Sequence, residues 1–286
     1  MDMRIFTLSS HDKEKLEELI LQAFFIQEHL DWLNMDDVLN TGYCYMLMEQ
    51  SHPTAALGLI ENSPGIFWIQ FFYSINPDEK IEERWNLLYS YAFSQLHLIQ
   101  PVIASIPTTN RFEKILFSNG FRIFENFILL KCHRSNDCTS INLLPSISIR
   151  NMRLDDIDSV SSLCDLSFPP LWKLSRKNIL NAFEQSDFAI VAENNTDEIV
   201  GYLLAVAENH SAHLSRIAVN PAFQKSGLGF TMINLFFTHY QKLNIMDFSV
   251  NTQSKNQAAI ALYEKAGFEK TGDSYPVYLL SSNNSY

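Results

Sequence analysis

Glycine is scarce in this chain, nine residues in 286, and only one Gly-x-Gly occurs, Gly227-Leu228-Gly229. That excludes the common nucleotide loops on detail. A dinucleotide-binding fingerprint needs a third glycine, and Met232 stands in its place. A P-loop needs Lys-Ser/Thr after its glycine, and Gly229 is followed by Phe230-Thr231. Cysteine is sparse too: Cys44, Cys132, Cys138 and Cys164 show no C-x-x-C spacing, so neither a metal site nor a disulfide framework is expected. Positive charge is outnumbered, 21 Lys+Arg against 32 Asp+Glu. The net charge of -11 excludes a general nucleic-acid or anionic-membrane binder, while leaving room for a local anion pocket built from backbone amides. Apolar runs such as Phe127-Ile128-Leu129-Leu130 stop well short of the ~18 residues of a membrane span. Met1-Asp2-Met3-Arg4 does not open a signal peptide. A soluble, cytoplasmic protein is expected.

What is present is enough apolar side chain for substantial cores, 47% hydrophobic and 13% aromatic. The length fits one large domain or two of about 140 residues, and the order of elements favours two. The polar stretch 133–146 reads as a linker between residues 1–132 and 147–286. After it come a strand at 147–152, a helix at 155–167, a helix at 175–183 with Ser175 as its cap, and a hairpin at 188–193 and 199–206. A strand at 213–219, a helix to about 243, a strand at 246–250, a helix at 257–266 closed by Gly267, and one or two final strands complete the half. The first half repeats the plan: a strand at 5–8, a helix at 13–25, a hairpin at 43–49 and 55–60, a strand at 66–75, a helix at 79–96, a strand at 101–106, a helix at 110–118 and a strand at 121–131. Asn76-Pro77 matches Asn220-Pro221, and Gly120-Phe121 matches Gly267-Phe268, at nearly equal spacing. A repeat of this length means duplicated domains.

Gln224-Lys225-Ser226-Gly227-Leu228-Gly229 lies where a strand passes into a helix, so its amides and the helix N-terminus together attract an anion. Asn256, Ala259, Leu262, Tyr263, Gly267 and Phe268 form a second pattern downstream. With both in order, residues 147–280 resemble the GNAT family of N-acetyltransferases. The resemblance implies an α/β fold of two tandem GNAT-like acyl-CoA N-acyltransferase domains, each a mixed, mostly antiparallel sheet flanked by helices. It implies acetyl-CoA as acyl donor, a primary amine as acceptor, and direct attack in a ternary complex without a metal. The donor would contact Ile217, Ala218, Val219, Gln224, Lys225, Ser226, Gly227, Leu228, Gly229, Phe230 and Asn256. Asn256 also suits a helix cap, and Gln224 either ties the turn or donates to the ligand. A backbone amide near Val219 would polarise the thioester carbonyl. Tyr263 would act as general acid, protonating the departing thiolate; a free tyrosine, with pKa about 10, holds its proton at neutral pH.

Aligned through Asn76-Pro77, the first half carries Lys80 at the place of Gln224, Glu83 at Gly227 and Trp85 at Gly229. A carboxylate and an indole fill the anion site, so residues 1–132 read as a degenerate copy and 147–286 as the active domain. Candidates for the general base are Glu208, His210 and His213, around Ser211. The aromatic loop Phe168-Pro169-Pro170-Leu171-Trp172, with Tyr275 and Tyr278, either walls an acceptor pocket or packs structurally. The duplication predicts a monomer with an internal pseudo-dimer, or a weak homodimer. A non-catalytic acyl-CoA sensor or scaffold is the alternative function.

Overall fold

The computed structural model describes residues 3–75, 80–96, 101–134 and 146–280. The chain divides into two compact units that do not follow the sequence boundaries: residues 1–124 with 276–286, and residues 125–275. Most of the expected linker, and Asn76-Pro77, lie outside the described residues.

The first unit begins with β1 (Met3–Thr7), α1 (Lys13–Gln22), β2 (Ala23–Glu28), α2 (Met35–Leu39), β3 (Cys44–Glu49), β4 (His52–Ser63) and β5 (Ile66–Ile75). It continues with α3 (Lys80–Gln95), β6 (Val102–Ser105) and α4 (Asn110–Ser118), after which β7 (Arg122–His133) leads into the second unit. Strands β1, β3, β4 and β5 pair antiparallel in that order, and β6 joins β5 in parallel. One apolar layer, including Phe72, Trp85 and Phe112, packs α3 and α4 against the sheet; a second, including Leu16, Leu19, Val38 and Phe71, packs α1 and α2.

The expected helix over residues 13–25 ends at Gln22. Residues Ala23–Glu28 form β2, whose burial alternates: Phe25 and Gln27 point inward, Phe24 and Ile26 outward. That alternation is the period of a strand. Gln27 is satisfied inside the unit, its amide donating to Ile106 O at 2.9 Å and its carbonyl accepting from Thr108 N at 2.8 Å. β2 pairs with residues 71–75 of β5, past a bulge between Ile69 and Phe71.

The second unit contains β8 (Ile147–Asn151), α5 (Ile157–Ser167), α6 (Arg176–Gln185), β9 (Phe188–Asn194), β10 (Ile199–Glu208) and β11 (Ser211–Val219). Then come α7 (Leu228–Gln241), β12 (Asp247–Gln253), α8 (Gln257–Lys265) and β13 (Glu269–Leu280), whose last residues belong to the first unit. Strands β8 to β11 pair antiparallel in order, β12 joins β11 in parallel, and Phe127–His133 of β7 closes the edge antiparallel to β12. In the first unit the equivalent place beside β6 is taken by Tyr278–Leu280 of β13. Each unit therefore takes its closing strand from the other stretch of sequence. This exchange is why the compact units depart from 1–132 and 147–286: those boundaries assign each closing strand to the half that precedes it in the chain. Among the described residues no helix is long and apolar enough to cross a membrane.

A half-buried ion cluster ties β8 to β9 and to the start of α5. Arg150 donates to both carboxylate oxygens of Asp156, at 2.7 and 2.8 Å, and also binds Glu193. The Arg150 guanidinium holds the Asp156 carboxyl below its ordinary value of 3.8, outweighing the opposing effect of burial. A depressed carboxyl stabilises the fold above its unfolded pKa and loses that contribution as pH falls through its folded pKa. Asp156→Asn is expected to cost roughly 1 kcal/mol at pH 7 after solvent screening, about 2–4 °C in Tm. The gap from wild type should close as the solution is acidified below about pH 3.8 in a Tm-against-pH series; a gap that stays constant with pH would refute the assignment.

Candidate functional site

The site begins at the end of β11. Asn220 accepts from Ala222 N at 3.0 Å and opens a tight turn at Pro221. The Gln224 side chain donates to Val219 O at 3.1 Å, and Ser226 Oγ to Phe223 O at 2.6 Å. Gln224 thus ties the turn to the strand. Lys225 and Gly227 both adopt left-handed conformations, φ +59° and +91°. Alternating handedness folds successive amides into a concavity that suits an anion. The amides of Lys225, Ser226, Gly227, Gly229 and Phe230 have no partner among the described residues, while Leu228 N meets only Ser226 Oγ, at 3.4 Å. They gather at the N-terminus of the fourteen-residue helix α7, whose dipole adds to the same attraction.

The two glycines answer different needs. A Cβ on Gly227 would meet nothing within 4 Å, so the residue is required there by its left-handed backbone. A Cβ on Gly229 would lie 3.1 Å from Leu262 Cδ2 and 3.7 Å from Val219, so this glycine lets α7 approach α8 closely. In the first unit the matching Trp85 is fully buried, edge-on to Phe72 and Phe112 with centroids 5.2 and 5.1 Å away. Beside it Arg84 is bound by Glu49 at 2.9 and 3.2 Å, with its side chain 3% exposed.

A free strand edge runs into the amide turn. β11 pairs with β12 only from Ser211 to Leu214, opposite Asp247 to Val250. At Ser215 the register with β10 slips by one residue, and a bulge of this kind bends the strand. Beyond it β12 stays with β7, and residues 215–219 face β12 with no pairing among the described residues. Asn220 N bonds back to Val200 O at 2.8 Å, so alternation along the strand turns the amides of Val219 and Ile217 toward the open edge. The amide of Ala218 points instead to β10, and its side chain is buried. In the first unit the same edge, past the same kind of bulge, is filled by β2.

Tyr263 projects from α8 into the core of this unit, 5% exposed, edge-on to Phe268 with centroids 5.9 Å apart. Its hydroxyl has no partner among the described residues. Burial raises the phenol's pKa and the Arg216 cation opposes that rise, so the group keeps its proton at neutral pH. Asn256 caps α8, accepting from Ala259 N at 3.1 Å, and its amide reaches Gln253 Oε1 at 3.4 Å. The capping role of Asn256 is therefore in place.

The sheet face toward α5 and α6 makes the second wall. Arg216 lies over the Phe168 ring, 3.8 Å from its centroid, and donates to Trp172 O at 2.6 Å and Tyr202 OH at 3.1 Å. Trp172 packs edge-on to Phe127 of β7, 5.1 Å away. The aromatic loop is thus held against this unit's own sheet. Of the three base candidates, His210 lies in the β10–β11 turn and Glu208 is an exposed strand end, while His213 stands on the strand itself. Tyr275 is exposed, and Tyr278 belongs to the first unit, opposite Ser105. Among the described residues no cluster of three or more His, Cys, Asp or Glu is placed to hold a metal ion. The strand alternation of β2, and its pairing with β5, is the feature that a helix-period reading of residues 13–25 overlooked.

Comparison with known proteins gives a consistent picture. Residues 157–268 match the model of the acetyltransferase (GNAT) family. The [ribosomal protein bS18]-alanine N-acetyltransferase of Salmonella typhimurium is 23% identical over 124 residues, 40% of this chain and 82% of the relative. A tandem GNAT protein from the clavulanic acid biosynthesis pathway covers 100% of both chains with TM-score 0.60 at 13% identity. A GCN5-related N-acetyltransferase from Sphaerobacter thermophilus also has TM-score 0.60, at 12% identity over 98% of this chain and 95% of its own. The two structural likenesses establish a shared fold along the chain.

Proposed function

Because residues 157–268 belong to the GNAT family of acetyltransferases, we propose that this half of the chain transfers an acetyl group from acetyl-CoA to a primary amine. The observation that carries the reading is the run of unpartnered backbone amides, from Ile217 and Val219 on the open edge of β11 to residues 225–227, 229 and 230 in the turn. An acyl-CoA presents the matching chemistry: an amide-bearing arm that can add to a strand edge, and a pyrophosphate for the amide turn. One of the two outward amides, that of Val219 or of Ile217, would donate to the thioester oxygen as charge develops on it, the usual source of oxyanion stabilisation, leaving the other for the donor's arm. Tyr263, buried with a free hydroxyl, supplies the proton that the departing thiolate takes up. Asn256 orders the start of α8 and so sets the position of Tyr263 seven residues on.

The first half is read as a copy that has lost donor binding. Its strand edge is occupied by β2, and Glu83 and Trp85 stand where the second half has glycines. The Salmonella relative is named for an alanine of a ribosomal protein, which makes a peptide α-amine one acceptor class to try beside small amines.

The test is thiol release from acetyl-CoA by the full chain across a panel of primary amines and short peptides with free N-termini. Amine-dependent thiol release, with one acetyl group gained by the amine in mass spectrometry, is expected. Acetyl-CoA binding without thiol release across the panel would instead assign the chain to the non-catalytic sensors.

A further inference from the structure

We infer that His213, oriented by Ser249, is the general base that takes the proton from the incoming amine. The inference rests on the transferase reading above. It starts from the point where β11 and β12 part. His213 and Ser249 are partners in the last stretch of the parallel register, one residue before pairing ends at Leu214 and Val250. His213 Nδ1 lies 2.8 Å from Ser249 Oγ. With Nδ1 as donor and Oγ as acceptor, the lone pair sits on Nε2, which has no partner among the described residues. A base held in one orientation by a neighbouring group is the arrangement that proton transfer requires.

The strand phase puts this imidazole on the correct wall. Ala212 and Leu214 belong to the apolar layer under α7, so His213 faces the other way. The bulge at Ser215 then resets the alternation: Ile217 and Val219 pack with the α7 layer, and Arg216 joins His213 on the face toward α5. The histidine therefore stands on the face that Phe168 and Trp172 cover, at the mouth of the open edge.

Its electrostatic surroundings keep it neutral. Burial lowers its pKa below the ordinary 6.5, and no charged group is resolved as acting on it. The charged groups on the elements next to it are engaged elsewhere or exposed. Arg216 of β11 is engaged by Tyr202 of β10 and by Cys164 of α5. On α5, Asp158 and Asp165 pair with Arg176 and Lys173. On β12, Asp247 pairs with His133 of β7. Lys131 stands across from Ser249 on β7, exposed, and Glu208 at the end of β10 is exposed as well.

The proton balance closes with these two residues. An ammonium acceptor gives one proton to His213 Nε2 and attacks the thioester carbon with the freed lone pair. The C–N bond forms as the carbonyl electrons move to oxygen. Collapse breaks the C–S bond; the thiolate takes the Tyr263 proton, and the amide nitrogen's surplus proton restores the phenol. His213 returns its proton to solvent, so each turnover yields amide, thiol and one proton.

The experiment compares wild type, His213→Asn, His213→Glu and Ser249→Ala as full chains, with saturating amine and acetyl-CoA. In wild type, kcat should fall on acidification through a pKa below 6.5. His213→Asn should lower kcat at pH 7.5 by about 10²-fold and abolish that acid limb, with the Kd for acetyl-CoA unchanged. His213→Glu should recover about tenfold of the loss. Ser249→Ala should keep the limb but displace it, which a merely structural serine would not do. If His213→Asn keeps the acid limb, or its kcat stays within about threefold of wild type, His213 is not the base. Should that variant fail to fold, a Ser249→Ala profile superimposable on wild type overturns the inference equally. If wild-type protein releases no thiol with any amine, the transferase reading and this inference fall together; if it turns over and only the variants disagree, this inference falls alone.

Discussion

Gly227→Glu is expected to weaken acetyl-CoA binding by about two orders of magnitude. The introduced carboxylate faces the pyrophosphate that the amides of residues 225–230 are proposed to hold. Like charges about 5 Å apart at an effective dielectric of about 20 repel by about 3 kcal/mol, or about two orders of magnitude in Kd. At φ +91° a side chain also sits in the left-handed region, which costs about 1–2 kcal/mol for a residue other than glycine. That strain is present with and without donor, so it lowers stability and not affinity, and a Tm measurement separates the two. The Cβ position itself meets nothing within 4 Å, so no clash is added. Titration calorimetry with acetyl-CoA measures it, with Gly227→Asn as control. Asparagine tolerates the left-handed conformation and carries no charge, so it should retain binding within about tenfold. A Gly227→Glu protein that binds like wild type would remove the turn from the donor site. Aligned through Asn76-Pro77, the first half carries Glu83 at this place, so the variant puts the same side chain in the second half.

Tyr263→Phe should reduce kcat by about two to three orders of magnitude, within the range for loss of a general acid. The ring is buried and packed on Phe268, whereas the hydroxyl has no partner among the described residues, so removing the oxygen leaves packing intact and no donor stranded. Stability and donor affinity should therefore hold while chemistry fails. Single-turnover kinetics separate the steps, and an acetyl-CoA analogue with a better leaving group should recover much of the rate, because an anion of lower basicity needs no acid. A variant with unchanged kcat, or one that loses donor affinity and kcat alike, would take the phenol out of the proton path.

Much of this was legible in the sequence because it rests on local rules. Ser175 and Asn256 announce helix caps and both accept the expected bonds, from Asn178 N and Ala259 N, and the strand–turn–helix order around Gly227 is the one the sequence implies. What was not legible depends on contacts distant in sequence. The run Ala23–Phe25 continues the helical pattern of α1 acceptably, and only pairing with residues 71–75 makes it a strand. The exchange of β7 and β13 has no local signature either, since each reads as a strand wherever it docks. Likewise His213 looked no different from His210 until the end of α-carbon register at Leu214 put one at the parting of two strands and the other in a turn. Gly229 has a second role that the sequence pattern does not announce, since a Cβ there would lie 3.1 Å from Leu262 Cδ2 and hold α7 off α8.

β2 has a consequence that reaches past catalysis. An unpaired strand edge is a template on which any extended segment can grow, and proteins guard such edges. The first half guards its own permanently, with residues 23–28 of the same chain. The second half, on the proposed function, is guarded only while its donor is bound. On that reading the second half keeps an edge whose protection rises and falls with the supply of acetyl-CoA, whereas the edge of the first half is closed by its own chain whatever the metabolic state.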